Sequence, residues 1–73
     1  MVEVEDAESI AINFVRKHKS VPDVNVTMTE LESGVWVVRG TCPIDLGGHP
    51  WRESFEIKID QKGRIKASSF KLI

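Results

Sequence analysis

The hydrophobic pattern of this chain changes its period once, and that change constrains the fold more than any other feature. Over residues 6–19, apolar side chains recur every three or four positions, which is the period of an amphipathic helix. From Val24 onward, apolar and polar residues alternate, which is the period of a strand with one buried face. The helical stripe consists of Ala7, Ile10, Ala11, Phe14, Val15 and His18.

The predicted helix over residues 6–19 carries suitable signals at both ends. Asp6 is the predicted N-cap, and Glu5 and Glu8 place negative charge where the helix dipole favours it. Basic residues cluster near the other end, and Pro22 stops the helix because its ring and missing N–H cannot continue it.

Four strands are predicted after the helix, over residues 24–31, 35–42, 51–60 and 64–72. A three-residue loop with Gly34 in the left-handed conformation would join the first two strands and pair Leu31 with Val35. This register places one row of residues on the helix-facing side of the sheet: Val24, Val26, Met28, Trp36, Val38, Gly40 and Cys42.

The second hairpin uses the same turn chemistry. Gly63 closes a loop that pairs Asp60 with Arg64, and the last strand then continues by alternation. Phe70 and Leu72 consequently fall on the uncovered face as an exposed apolar spot, unless a β-bulge shifts the register and buries them. The helix-facing residues of this hairpin would be Trp51, Phe55, Ile57, Ile59, Ile65 and Ala67.

These patterns predict one domain over residues 1–73, with an α+β fold in two layers: an N-terminal helix packed on a four-stranded antiparallel meander. A chain of 73 residues buries only about 60% of its unfolded surface. Because such a core is small, we expect self-association, and we predict a homodimer.

Charge and cysteine content narrow the possible functions. The formal net charge of −1 and the pI near 6.1 argue against a dedicated nucleic-acid binder. A single cysteine cannot form an intramolecular disulfide, the acidic N-terminus does not resemble a secretory signal, and no apolar run approaches the ~20 residues that span a bilayer. The sequence therefore predicts a cytoplasmic protein without membrane contact.

The segment 43–50 is predicted to connect two strands and supplies candidate contact residues for a protein partner. Ile44 and Leu46 are apolar residues in a predicted loop, and Trp51 follows directly as a possible aromatic anchor. Phe70 joins these candidates if it is exposed at the sheet edge.

The segment 42–50 holds the one cluster of residues that suggests catalysis or metal binding. Cys42, Asp45 and His49 lie within eight residues, but a thiol nucleophile needs a nearby base and a lowered pKa. Structural zinc needs about four Cys or His ligands. We therefore predict no catalytic residue, cofactor or metal, and keep a thiol- or metal-dependent enzyme at Cys42 and His49 as an alternative.

Basic residues on the uncovered sheet face suggest another alternative. Arg39 and Arg52 alternate onto this face with acidic neighbours, and a solvated face of mixed charge is the main interpretation. The alternative is binding of RNA or another anionic partner, for which Phe70 is the one candidate stacking ring.

The whole pattern resembles a PepSY-type module of the cystatin-like kind. The resemblance lies in segments 8–15, 24–26, 34–38, 55–60 and 63–65, which cover a helix and two glycine hairpins. It implies a helix wrapped by an antiparallel sheet, no catalytic residues, and a role in binding or peptidase inhibition. Such modules are mostly extracytoplasmic, and the segment from Cys42 to His49 is not part of the family pattern.

Overall fold

The computed structural model describes residues 2–73 and contains one helix and one four-stranded sheet. The sheet order is β1-β2-β3-β4 and every neighbouring pair is antiparallel, which confirms the predicted α+β meander. The elements are α1 (Val4–Lys19), β1 (Asn25–Glu32), β2 (Val35–Leu46), β3 (His49–Ile59) and β4 (Ile65–Leu72).

Helix α1 begins two residues earlier than predicted. Its N-cap is Glu3, so the prediction of Asp6 as N-cap is wrong. Asp6 lies one turn into the helix, and its carboxylate reaches back to accept a hydrogen bond from the Glu3 N–H at 3.3 Å. The helix ends at Lys19, and its C-cap is Ser20, whose φ of +56° places it in the left-handed region.

The first hairpin differs from its prediction by one residue. Its turn consists of Ser33 and Gly34, with φ values of +51° and +79°, and Leu31 lies opposite Trp36. Two consecutive positive φ values match the twist of the flanking strands, so a two-residue turn replaces the predicted three-residue loop. Leu31 therefore shares the face of Trp36, where it remains 53% exposed at the sheet edge.

A bulge in β1 changes which of its residues face the helix. The register shifts between Val26 and Met28, and Met28 lies opposite Arg39 on the uncovered face. The prediction that Met28 faces the helix is therefore wrong. Thr29 takes the helix-facing position instead, and its hydroxyl donates a 2.7 Å hydrogen bond to the carboxylate of Glu8.

The second hairpin has the predicted turn. The N–H of Asp60 donates to the Arg64 carbonyl at 3.0 Å, and Gly63 has a φ of +82°. The Asp60 carboxylate accepts hydrogen bonds from the backbone N–H groups of Arg64 and Lys62, each at 2.9 Å. These bonds, that from Arg64 above all, lower the pKa of Asp60.

A second bulge determines how β4 faces the helix. The register shifts between Lys58 and Ile59, and Ala67 lies opposite Lys58 on the uncovered face, so its predicted inward position is wrong. The same shift turns Phe70 and Leu72 to the helix side. Of the two alternatives for these residues, the bulge is correct: Phe70 is half-buried, although Leu72 remains 49% exposed.

Residues 43–50 form a hairpin rather than the predicted connecting loop. β2 continues to Leu46 and β3 starts at His49, with Gly47 and Gly48 as a two-residue turn at φ values of +58° and +86°. The Asp45 carboxylate accepts a 2.9 Å hydrogen bond from the Gly48 N–H. The continuation makes the molecule elongated, with extents of 41 × 18 × 17 Å.

The core lies between α1 and the middle of the sheet, where Gly40 allows a close approach. A Cβ at Gly40 would overlap the Asn25 carbonyl oxygen and lie 2.7 Å from Cζ of Phe55. The bulged start of β1 thus depends on the missing side chain. The core cluster is Ala7, Ala11, Val15, Val38, Cys42, Phe55, Ile57 and Ile59.

We expect Gly40→Ala to lower the free energy of unfolding by about 3 kcal/mol, because backbone and a buried ring would have to move. Urea denaturation measures the loss. Gly47→Ala is the matched control: its Cβ would meet nothing within 4 Å, and its positive φ should cost only about 1 kcal/mol. Equal losses in the two variants would contradict the role assigned to Gly40.

Candidate protein-contact surface

Three of the predicted contact residues lie on one face of the β2–β3 hairpin. Ile44 lies opposite Trp51, and two residues further along β2, Leu46 lies opposite His49. Directly opposed residues share a face of the sheet, and this face is the one that carries the buried Cys42. Ile44 is partly buried, whereas Leu46 and Trp51 are 46% and 47% exposed.

Leu72 extends this surface onto β4. It lies opposite Glu53, two residues from Trp51 along β3, so Leu72 and Trp51 are diagonal neighbours about 7–8 Å apart. We call Ile44, Leu46, Trp51 and Leu72 the apolar hairpin face. Leu72 is not among the predicted contact residues, because the hydrophobic pattern leaves open whether a bulge turns it to the helix side.

Most of the apolar hairpin face is not covered by the helix, because α1 ends before reaching it. Sixteen helical residues span about 24 Å, whereas the twelve residues of β2 span about 40 Å. In the covered part of β2, the inward-facing Val38 and Cys42 are buried, at 0% and 1% exposure. Past that point, Ile44 is only partly buried and Leu46 and Trp51 are about half exposed.

A cluster at the end of α1 separates the core from this face. The His18 ring stacks between Phe14 and Phe70, with centroid distances of 5.4 and 5.2 Å. Lys19 places its Nζ 2.8 Å from a Glu53 carboxylate oxygen and 4.5 Å from the centre of the Phe70 ring. Phe70, predicted as a contact residue, therefore packs under the helix end.

The structure separates the residues of the alternative catalytic site. Cys42 lies opposite Glu53, whereas His49 lies four residues further towards the hairpin tip, about 13 Å along the strand. Burial raises the pKa of the Cys42 thiol, the charge of Glu53 raises it further, and Lys19 opposes this. Within residues 2–73, no group of three or more His, Cys, Asp or Glu side chains is placed to hold a metal ion.

The two predicted arginines lie apart on the uncovered face. Arg39 is in the middle of the sheet, where its Nε donates a 2.8 Å hydrogen bond to the Glu56 carboxylate. That bond and the charge of Glu56 raise the pKa of Arg39. Arg52 lies on the hairpin opposite Pro43, four residues along β3 from Glu56, which again corresponds to about 13 Å.

Comparisons with protein families, curated proteins and solved structures found no match to this chain. The resemblance to PepSY-type modules therefore stays a prediction from the sequence. In the described part of the chain, no helix has the length and apolar character needed to cross a membrane.

The Cys42 environment predicts a specific pH dependence. Because the folded state raises the thiol pKa, the unfolded chain loses its thiol proton first as the pH rises above about 8.5. The corresponding stability is complete below that pH and is lost as the pH approaches the folded-state pKa. We expect urea denaturation at pH 7 and about pH 10 to show a larger loss for the native chain than for Cys42→Ala. Equal losses would contradict the raised thiol pKa.

Proposed function

We propose that this chain is a small non-catalytic protein-interaction module that binds a protein partner through the apolar hairpin face. The observation that carries the proposal is the juxtaposition of Leu46, Trp51 and Leu72, each about half exposed on one continuous surface. Contiguous apolar side chains of this kind mark protein contacts more often than scattered ones do.

The exposed surface of the molecule supports this proposal. A compact monomer of 8.2 kDa exposes about 4,500 Å², and this chain exposes 4897 Å². The radius of gyration, 12.2 Å, also exceeds the roughly 11.2 Å expected for 73 residues. Both excesses fit a hairpin that projects beyond the core, where a partner can reach its apolar side.

Trp51 is the proposed anchor of the contact. Large aromatic residues supply much of the binding energy when a partner encloses them, and polar neighbours then form the rim. His49 lies on the same side of the hairpin, opposite Leu46, and supplies such a polar neighbour. The proposal includes a cytoplasmic location, which the single cysteine supports, because exported small domains usually pair their cysteines.

We expect Trp51→Ser and Leu46→Ser to abolish partner capture while leaving the fold intact, because both side chains are exposed in the free chain. Affinity capture from the native host, with mass spectrometry, identifies proteins retained by the native chain. The captured protein is then titrated against each purified variant. We expect at least a roughly tenfold loss of affinity for each hairpin variant.

Val4→Ser is the matched control for this experiment. Val4 is 42% exposed and lies in the first turn of α1, away from the hairpin. The control should bind like the native chain. A partner that binds the native chain, the control and both hairpin variants equally would contradict the proposed contact surface.

The proposal also specifies a result for nucleic acid. Arg39 is engaged by Glu56 and is flanked by Glu30 and Glu32, whose charges also act on it. We therefore expect no binding of mixed single-stranded RNA at about 50 mM salt, a condition that favours electrostatic association. Fluorescence anisotropy of labelled RNA measures this. Saturable binding that weakens with added salt would favour the RNA-binding alternative over a protein partner.

A further inference from the structure

The two edges of the sheet carry opposite charge. The edge strand β1 contains Glu30 and Glu32 and no basic residue, whereas the edge strand β4 contains Lys66 and Lys71 and no acidic residue. The residues that lead into the strands repeat the difference, with Asp23 before β1 and Arg64 before β4. The charge separation is therefore a property of the whole edges, although the net charge of the chain is only −1.

Both edges have unused backbone hydrogen-bonding groups. In the sheet of the described chain, β1 pairs with β2 alone and β4 pairs with β3 alone. Charges and bulges on edge strands usually oppose pairing with further strands. Here they oppose only pairing of like edges: two β1 strands would bring glutamates together, and two β4 strands would bring lysines together. The β1 edge of one copy and the β4 edge of another are complementary.

The topology allows this pairing without rearrangement. In a meander with an even number of strands, β1 and β4 run in opposite directions, so β1 of a second copy continues the antiparallel order beside β4. The helices of successive copies then lie on the same side. Four strands occupy about 19 Å, which leaves room for one helix of about 10 Å diameter per copy.

One register of this junction pairs apolar residues on the helix side of the joined sheet and opposite charges on the uncovered side. Leu31 and Phe70 lie on the helix side, opposite Trp36 and Phe55, so they can lie opposite each other across the junction. The next pair is then Glu30 with Lys71 on the uncovered side. Residues 29–32 and 69–72, which form this junction, lie outside both bulges.

We propose that copies of this chain associate head to tail, with β4 of one copy pairing antiparallel with β1 of the next. The contact is heterologous, because it joins different surfaces, and it continues beyond two copies unless the rotation closes a ring. Sheet twist rotates each added strand by about 20–25°, so successive copies are rotated rather than simply translated. This inference replaces the predicted homodimer with an assembly that lacks two-fold symmetry. Its charge pairing does not involve Trp51 or Leu46, and Leu72 is the one residue that the junction shares with the apolar hairpin face.

Sedimentation velocity of the native chain between about 10 μM and 1 mM at low salt tests association, because screening weakens surface charge pairs at high salt. The weight-average mass should rise with concentration past two copies, that is past 2 × 8.2 = 16.4 kDa. Addition of about 0.5 M salt should reduce it. A mass that stays at 8.2 kDa, or that stops at two copies, would overturn the proposal.

Charge reversal tests the register. Glu30→Lys and Lys71→Glu each place like charges opposite each other and should weaken association roughly tenfold. Lys17→Glu on α1 is the matched control for Lys71→Glu, and Glu5→Lys is the control for Glu30→Lys; all four residues are exposed. The controls should associate like the native chain.

Mixing the two edge variants provides the decisive measurement. In an equimolar mixture, the lysine introduced on β1 of one variant can face the glutamate introduced on β4 of the other, so association should recover towards the native value.

Far-UV circular dichroism shows whether each variant is folded, and Glu30→Gln and Lys71→Gln replace any variant that is not folded. Folded variants that associate normally, or whose mixture does not recover, would overturn the proposal. So would association that Trp51→Ser alone abolishes, a result that would instead place self-association on the apolar hairpin face.

Discussion

The β2–β3 hairpin is longer than the helix that covers it, and the other features of the molecule depend on this mismatch. Eleven cross-strand pairs run from Trp36 with Ile59 to Leu46 with His49. A helix of about 24 Å can cover only part of a strand of about 40 Å. The covered part forms the core, and the uncovered part forms the apolar hairpin face. The mismatch therefore divides the β2–β3 hairpin into a part that packs under the helix and a part that is available for contact.

Two bulges set which side chains take part in each half. The bulge in β1 moves Met28 outward and brings Thr29 under the helix, where it binds Glu8. The bulge in β4 moves Ala67 outward and brings Phe70 under the helix end, where it stacks on His18. The β1 bulge thus replaces an expected apolar contact by a hydrogen bond, and the β4 bulge replaces the small Ala67 by the ring of Phe70.

The proposed contacts use chemically different parts of the molecule. The apolar hairpin face offers area and an aromatic ring, whereas the sheet edges offer backbone hydrogen bonds and opposite charges. The two surfaces share Leu72, which belongs to the apolar hairpin face and also lies at the end of the β4 junction. Cys42 is buried, which raises the pKa of its thiol, and Lys19 forms an ion pair with Glu53 on the opposing strand; packing under the helix end accounts for both.

The sequence alone determined the element order, the fold class, the turn at Gly63 and the contact candidates Ile44, Leu46 and Trp51, because period, turn chemistry and apolar composition are local properties. It did not determine the register of the first hairpin, the two bulges or the extension of the strands past Cys42. Those features depend on non-local packing: β1 approaches β2 closely at Gly40, and Phe70 packs inward against His18 and Phe55. Only the tertiary structure could therefore place Leu72 beside Trp51, because the bulge in β4 decides which face Leu72 takes.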